Sequence, residues 1–181
     1  MCNRILVAED EPITRMDICE MLIANGYDVV GAASDGLQAI DLCRKLKPDL
    51  VLMDIKMPKL DGIQAAKLIL EENLVAALIM LTAYSGKDFV DKVKEIGALG
   101  YIVKPIDEIK LIPQIEIAIH KGKEIEEIIL KFKAKELLME NFSLSENDAY
   151  KKLRRLSMDK QCSLLETSKI LIRTYGENIK K

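Results

Sequence analysis

Five short apolar runs, Arg4 to Ala8, Val29 to Ala33, Leu50 to Met53, Ala77 to Leu81 and Tyr101 to Val103, most constrain what this chain can become. Each is rich in branched aliphatic residues and too short for a helix, which fits strands buried on both faces. Between them lie helical patterns such as Ile13 to Ala24 and Leu37 to Leu46, with turn signals at Asn25-Gly26, Asp35-Gly36, Asp61-Gly62 and Ser85-Gly86. Repeated β-α units of this kind predict an α/β fold with a doubly wound, five-stranded parallel sheet. In such a sheet the functional crevice lies at the carboxyl ends of the strands.

The pattern stops about two thirds of the way along. All five prolines and seven of the nine glycines precede residue 121, and the remainder holds only Gly122 and Gly176. Charge changes at the same place. Residues 1–121 carry 14 basic and 19 acidic side chains, net −5, whereas residues 122–181 carry 13 and 10, net +3. The overall charge of −2 therefore conceals an acidic half and a basic half. Several functional classes are disfavoured at once. The four cysteines, Cys2, Cys19, Cys43 and Cys162, share no CxxC spacing, and His120 is the sole histidine, so neither a zinc site nor a nucleophilic dyad is indicated. No apolar run approaches a membrane span, and the stretch after Met1-Cys2-Asn3-Arg4 is too short for a signal peptide, so a cytoplasmic protein without membrane contact is expected.

The strand ends carry chemistry. Glu9, Asp10 and Glu11 follow the first strand, Asp54 follows the third, Thr82 closes the fourth, and Lys104 with Pro105 closes the fifth. Clustered carboxylates raise one another's pKa unless a cation neutralises them, and hard oxygen ligands in an open crevice suit Mg2+. A carboxylate nucleophile, a divalent ion, a hydroxyl and an ammonium are what phosphoryl transfer to aspartate requires, with Asp54 attacking in line. Any one of these residues alone is unremarkable on a protein surface; their joint appearance at the ends of four strands is the signal.

The segments Ile5-Leu-Val-Ala-Glu-Asp-Glu11, Asp49-Leu-Val-Leu-Met-Asp-Ile-Lys-Met-Pro-Lys-Leu-Asp-Gly62, Leu81-Thr82-Ala83 and Gly100-Tyr-Ile-Val-Lys-Pro105 resemble the receiver domain of two-component response regulators, over residues 1–121. The resemblance implies a flavodoxin-like fold. It makes Asp54 the phospho-acceptor, sets Glu9, Asp10 and the backbone carbonyl of Lys56 around Mg2+, and pairs Thr82 with Tyr101 as a switch. Glu9 departs from the family's more common Asp while keeping charge and ligand type. With no Gly-rich nucleotide loop in the chain, phosphate is expected from a separate histidine kinase or a small phosphodonor. The protein is then a switch rather than an enzyme, with self-phosphorylation and self-dephosphorylation at Asp54 as its only chemistry.

In the second half, Ile112, Ile115, Ile119, Gly122, Ile125, Ile129 and Phe132 follow near-heptad spacing, which predicts a long helix over residues 110–141 and dimerisation along that seam. The alternative is that the seam packs on the chain's own sheet or C-terminal helices. Ser145 with Asp148 offers N-cap chemistry for a helix to about Ser157, and a last helix runs from about Ser163 to Thr174. Residues 125–181 then form a small three-helix unit. Lys151, Lys152, Arg154 and Arg155 form a cation cluster that Lys135 extends, either as a solvated face or as a phosphate-binding surface. Helical geometry alone leaves DNA and RNA open, since three helices with a basic one also describe a helix-turn-helix.

Ala134-Lys-Glu-Leu-Leu-Met139, Leu144-Ser-Glu-Asn-Asp-Ala-Tyr-Lys-Lys-Leu-Arg-Arg-Leu-Ser-Met158 and Leu165-Glu-Thr-Ser-Lys-Ile170 resemble the ANTAR output domain of transcription antiterminators over residues 125–172, despite Glu136 and Ser157 where the family favours Gly and Ala. The layout is similar to that of ethanolamine-utilisation antiterminators. It implies a phosphorylated homodimer that binds paired hairpins in a leader transcript and keeps a terminator from forming. The rivals are a DNA-binding regulator with a helix-turn-helix output and a receiver whose helical extension binds a protein.

Overall fold

A computed structural model describes residues 3–83 and 86–176, with side chains omitted at 87–90. Cys2, Met1 and the Ser85 half of the Ser85-Gly86 turn signal lie outside the described residues. Contacts divide the chain into two compact units, Met1–Lys123 and Glu124–Lys181.

The first unit alternates strand and helix: β1 Arg4–Ala8, α1 Pro12–Ala24, β2 Asp28–Ala33, α2 Gly36–Leu46, β3 Leu50–Asp54, α3 Gly62–Glu71, β4 Ala77–Thr82, α4 Lys87–Glu95 and β5 Gly100–Val103. The strands form one parallel sheet in the order β2-β1-β3-β4-β5. The order reverses beside β1, and this opens a crevice between the ends of β1 and β3.

Alternation along each strand sorts side chains onto two faces. Leu6, Val51, Met53, Leu78 and Met80 pack with Ala39, Cys43, Ala65 and Ile69 of α2 and α3. Ile5, Val7, Leu50, Leu52, Ile79 and Leu81 pack with Ile18 and Leu22 of α1 and with Leu111, Ile115, Ala118 and Ile119 of α5, Glu108–Phe142. Because both faces are covered, the strands read in sequence as continuous apolar runs.

The 35-residue α5 corrects the expected dimer seam. Ile115 and Ile119 are buried in the receiver core, and a Cβ on Gly122 would stand 2.6 Å from the Ala76 carbonyl oxygen, so this half of the seam packs on the chain's own sheet. Only the second half is outward: Ile125, Ile128, Ile129 and Phe132 are exposed.

In the second unit, Ala134 and Leu138 of α5 pack on Ala149 and Leu153 of α6, Glu146–Asp159, and on Leu171 of α7, Leu164–Tyr175. α5 stops where Ser143 turns left-handed (φ 50°) and the Leu144 amide donates back to the Met139 carbonyl. Ser145 caps α6 by accepting from the Asp148 amide, as the sequence predicts, and Ser163 with Glu166 forms a full capping box on α7.

Candidate functional site

The crevice gathers residues from four strand ends. β1 stops at Ala8, which leaves Glu9 buried and Asp10 exposed just beyond it; Asp54 is the last residue of β3, Thr82 the last of β4, and Lys104 follows β5. Lys104 Nζ lies 2.7 Å from Asp54 Oδ1 and 2.7 Å from Glu9 Oε2. Asp54 Oδ2 accepts a hydrogen bond of 3.0 Å from the Lys56 amide. Thr82 is buried, and its carbonyl accepts from the Lys104 amide at 2.7 Å. The Lys104-Pro105 peptide is cis. Tyr101, on β5, is half-buried and packs at the margin of the core between the sheet and α2 to α4.

Charge here is unbalanced. Carboxylate oxygens of Glu9, Asp10 and Asp54 all lie within 4.8 Å of one another, and the Lys104 ammonium contacts two of the three groups. Burial, together with the nearby Asp54 charge, pushes the Glu9 pKa above the usual glutamate value despite Lys104. Burial works against the Lys104 charge, but Asp54 and Glu9 more than offset it and hold that pKa above the usual lysine value. Glu9 Oε2 is buried without a hydrogen bond of good geometry. Its partner is the Lys104 ammonium at 2.7 Å. Three carboxylates gathered this closely around one ammonium offer the hard oxygen donors that a small divalent cation prefers.

Two supporting residues gain their roles only from the structure, although Gly62 already marks a turn signal in the sequence. The Arg15 guanidinium, in the first turn of α1, donates to the carbonyls of Glu9 and Asp10 and braces the acidic loop. Gly62 opens α3 with its amide donating to the Ile55 carbonyl, and a Cβ there would fall 1.8 Å from the Asp54 carbonyl oxygen. Only glycine lets the α3 N-terminus come this close.

The five cations expected to form one surface in the second unit separate into two groups. Lys151, Arg154 and Arg155 are exposed at helical spacing on α6; the nearest acids, Asp148 at 3.6 Å from Lys151 and Asp159 at 3.9 Å from Arg155, hold them weakly. Lys152 instead turns toward α5 and places its Nζ 3.1 Å from the Phe142 ring centroid, a cation-π contact. Lys135 is engaged by Glu146 at 2.6 Å with its side chain only 20% exposed. Tyr150, one turn before Arg154, is 46% exposed and adds an aromatic ring to the outward face of α6. The thiols of Cys19, Cys43 and Cys162 are unpaired with one another, and burial pushes Cys43 up to about 12, which makes it a bystander at neutral pH.

Comparison with known proteins agrees with this geometry. Residues 5–116 match the response regulator receiver domain and residues 125–172 match the ANTAR domain. The transcriptional regulatory protein PdtaR of Mycobacterium tuberculosis is 39% identical over 96% of this chain and 91% of its own length. The chemotaxis protein CheY of Bacillus subtilis is 38% identical over 64% of this chain and 96% of its own. Among solved structures, a two-component response regulator of the LuxR family from Aurantimonas sp. SI85-9A1 superposes with a TM-score of 0.61 at 31% identity, covering 66% of this chain and 86% of that one. A CheX-CheY-BeF3-Mg2+ complex from Borrelia burgdorferi does so with a TM-score of 0.59 at 26% identity, covering 62% and 86%. With its strand-end carboxylates and lysine, and matched along both units, the chain belongs to the response regulators, as a receiver domain joined to an ANTAR output domain.

Proposed function

We propose that this response regulator accepts a phosphoryl group on Asp54 from a histidine kinase and, once phosphorylated, binds hairpins in a nascent leader transcript to cause antitermination. The observation that carries the receiver half is the Lys104 ammonium, held 2.7 Å from both Glu9 and Asp54. An Asp54 oxygen attacks phosphorus as the bond to the donor's histidine nitrogen breaks, and that nitrogen leaves with the electron pair. Lys104 moves with the developing charge from carboxylate to phosphoryl oxygen, and Thr82, at the end of the adjacent strand, supplies a hydroxyl on the other side. Glu9, Asp10, Asp54 and the Lys56 carbonyl would hold Mg2+, which when bound neutralises phosphoryl oxygens. The BeF3 and Mg2+ in the Borrelia complex support this reading of the pocket.

For the output half, the exposed trio Lys151, Arg154 and Arg155 beside Tyr150 suits single-stranded loop RNA, where phosphates meet cations and an unstacked base meets a ring. Two copies pair through Ile125, Ile128, Ile129 and Phe132. That seam spans only about two helical turns, shorter than a self-sufficient coiled coil. Pairing therefore needs help from the phosphorylated receivers or from two RNA sites bound at once.

The test is binding of a leader RNA with two hairpins, against duplex DNA of the same sequence, with and without acetyl phosphate. RNA binding that tightens on phosphorylation together with a shift to dimer in sedimentation is expected. Equal or better binding to the duplex would favour the helix-turn-helix rival, and binding to neither would favour a protein partner.

A further inference from the structure

The loop that follows the phospho-acceptor, residues 55–61, is tied down at two places. At its two ends, the Lys56 amide donates to Asp54 and Gly62 packs on the Asp54 carbonyl. In the middle the chain takes a left-handed turn at Lys59, φ 65°, a conformation a lysine adopts only when its surroundings enforce it. That turn sends Lys59 Nζ to within 2.6 Å of Asp35 Oδ2, in the turn between β2 and α2.

Asp35 is otherwise committed to that turn. It is 3% exposed, and its Oδ1 caps α2 by accepting from the Gln38 amide at 2.9 Å. The Lys59 ammonium, followed by the amide bonds from α2, holds its carboxyl below the ordinary aspartate value. A backbone contact runs alongside the ion pair: the Gly36 amide donates to the Leu60 carbonyl at 3.2 Å, and a Cβ on Gly36 would stand 2.4 Å from that oxygen. Asp35 and Lys59 are 24 residues apart, and neither touches the Asp54 carboxylate in the contacts just described.

We propose that Asp35 and Lys59 are positioning residues for the phospho-acceptor: their ion pair clamps the β3–α3 loop to the β2–α2 turn and thereby fixes the Lys56 backbone beside Asp54. The clamp rests on the receiver reading of Asp54 and adds to it the restraint that keeps a metal-facing carbonyl in place before any ion or phosphoryl group arrives. Lys59 keeps its side chain 65% exposed while Asp35 is buried, so the restraint is anchored from the Asp35 side.

Three loss variants and one rescue variant test it. Lys59→Met removes the charge at similar length, Asp35→Asn keeps the cap acceptor, and the double variant removes both. Amide hydrogen exchange in the metal-free protein and Mg2+ affinity by calorimetry are the readouts. Each single variant is expected to speed exchange at Lys56, Leu60 and Gly62 and to weaken Mg2+ binding about threefold to tenfold. The double variant is expected to match the worse single one, and Lys59→Arg to restore wild-type values. Additive losses, or unchanged exchange at Lys56 in both single variants, would overturn the clamp. Failure of the wild-type protein to bind Mg2+ would instead count against the metal reading of the pocket, and the exchange data would still decide the clamp.

Discussion

The crevice and the outward face of α6 handle charge in opposite ways. In the crevice, Lys104 touches two carboxylates at 2.7 Å, Glu9 and Asp54 are buried, and the Arg15 guanidinium and the Lys56 amide brace the backbone beside them. On α6 the cations stand in water with acids no closer than 3.6 Å. Under the proposed function, the difference follows from what each would have to do. Stabilising a transient phosphoryl geometry needs donors already in place, because reorganising them during the reaction costs rate. Attracting a polyanion needs only a field, and loosely held side chains can settle onto phosphates after contact.

The sharpest way to break that contrast is at Asp54. Asp54→Asn should abolish labelling by acetyl phosphate, since no neighbouring carboxylate shares its contacts with both Lys104 and the Lys56 amide. Labelling retained at the wild-type level would mean that the pocket is not organised around this residue. On α6, Arg154→Ala combined with Arg155→Ala should weaken leader-RNA binding by about tenfold to a hundredfold and lower the salt dependence by about two phosphate contacts. Lys152→Ala should change the salt slope little, because its ammonium sits on the Phe142 ring. If all three arginine and lysine losses behave alike, the division of the cations into two groups is wrong.

The smallest effect concerns stability. Glu9 has a raised pKa in the folded protein, so its ionisation costs the folded state: the stabilising protonated form is complete below the ordinary value of 4.5 and is lost as pH rises through the folded-state pKa. Glu9→Gln should therefore raise the stability of the metal-free protein at neutral pH. The advantage should vanish in acid and should shrink when Mg2+ is added. Thermal melts across pH, with and without the ion, would show it; a variant less stable than wild type at neutral pH without metal would mean that Lys104 compensates Glu9 in full.

Much of this molecule could be read from its residues, for reasons that differ by element. The strands showed as apolar runs because both faces of the sheet are covered, and the crevice showed because its residues are strand-end neighbours in an ordered topology. The seam from Ile112 to Phe132 misled because periodicity reports that a helix face is covered, not what covers it. Ile115 and Ile119 are buried against the sheet, while Ile125, Ile129 and Phe132 of the same spacing are left exposed. Lys152 was placed with the other cations because a charge carries no record of the ring it will lie on. The Asp35 to Lys59 contact was invisible for the same kind of reason: Asp35-Gly36 is a good local turn signal, and local chemistry accounts for it without the distant lysine.

The single helix running from Glu108 to Phe142 also bears on how such a chain can be recombined. Its first half supplies Leu111, Ile115, Ala118 and Ile119 to one core, and its second half supplies Ala134 and Leu138 to another. The junction between the units falls inside this helix and not in a loop where a gene could be cut and rejoined freely. Exchange of one output for another would have to be spliced inside a helix, between Gly122 and Ala134, and would inherit a constraint on the register of its apolar positions. Modularity here is set by helical phase rather than by a linker.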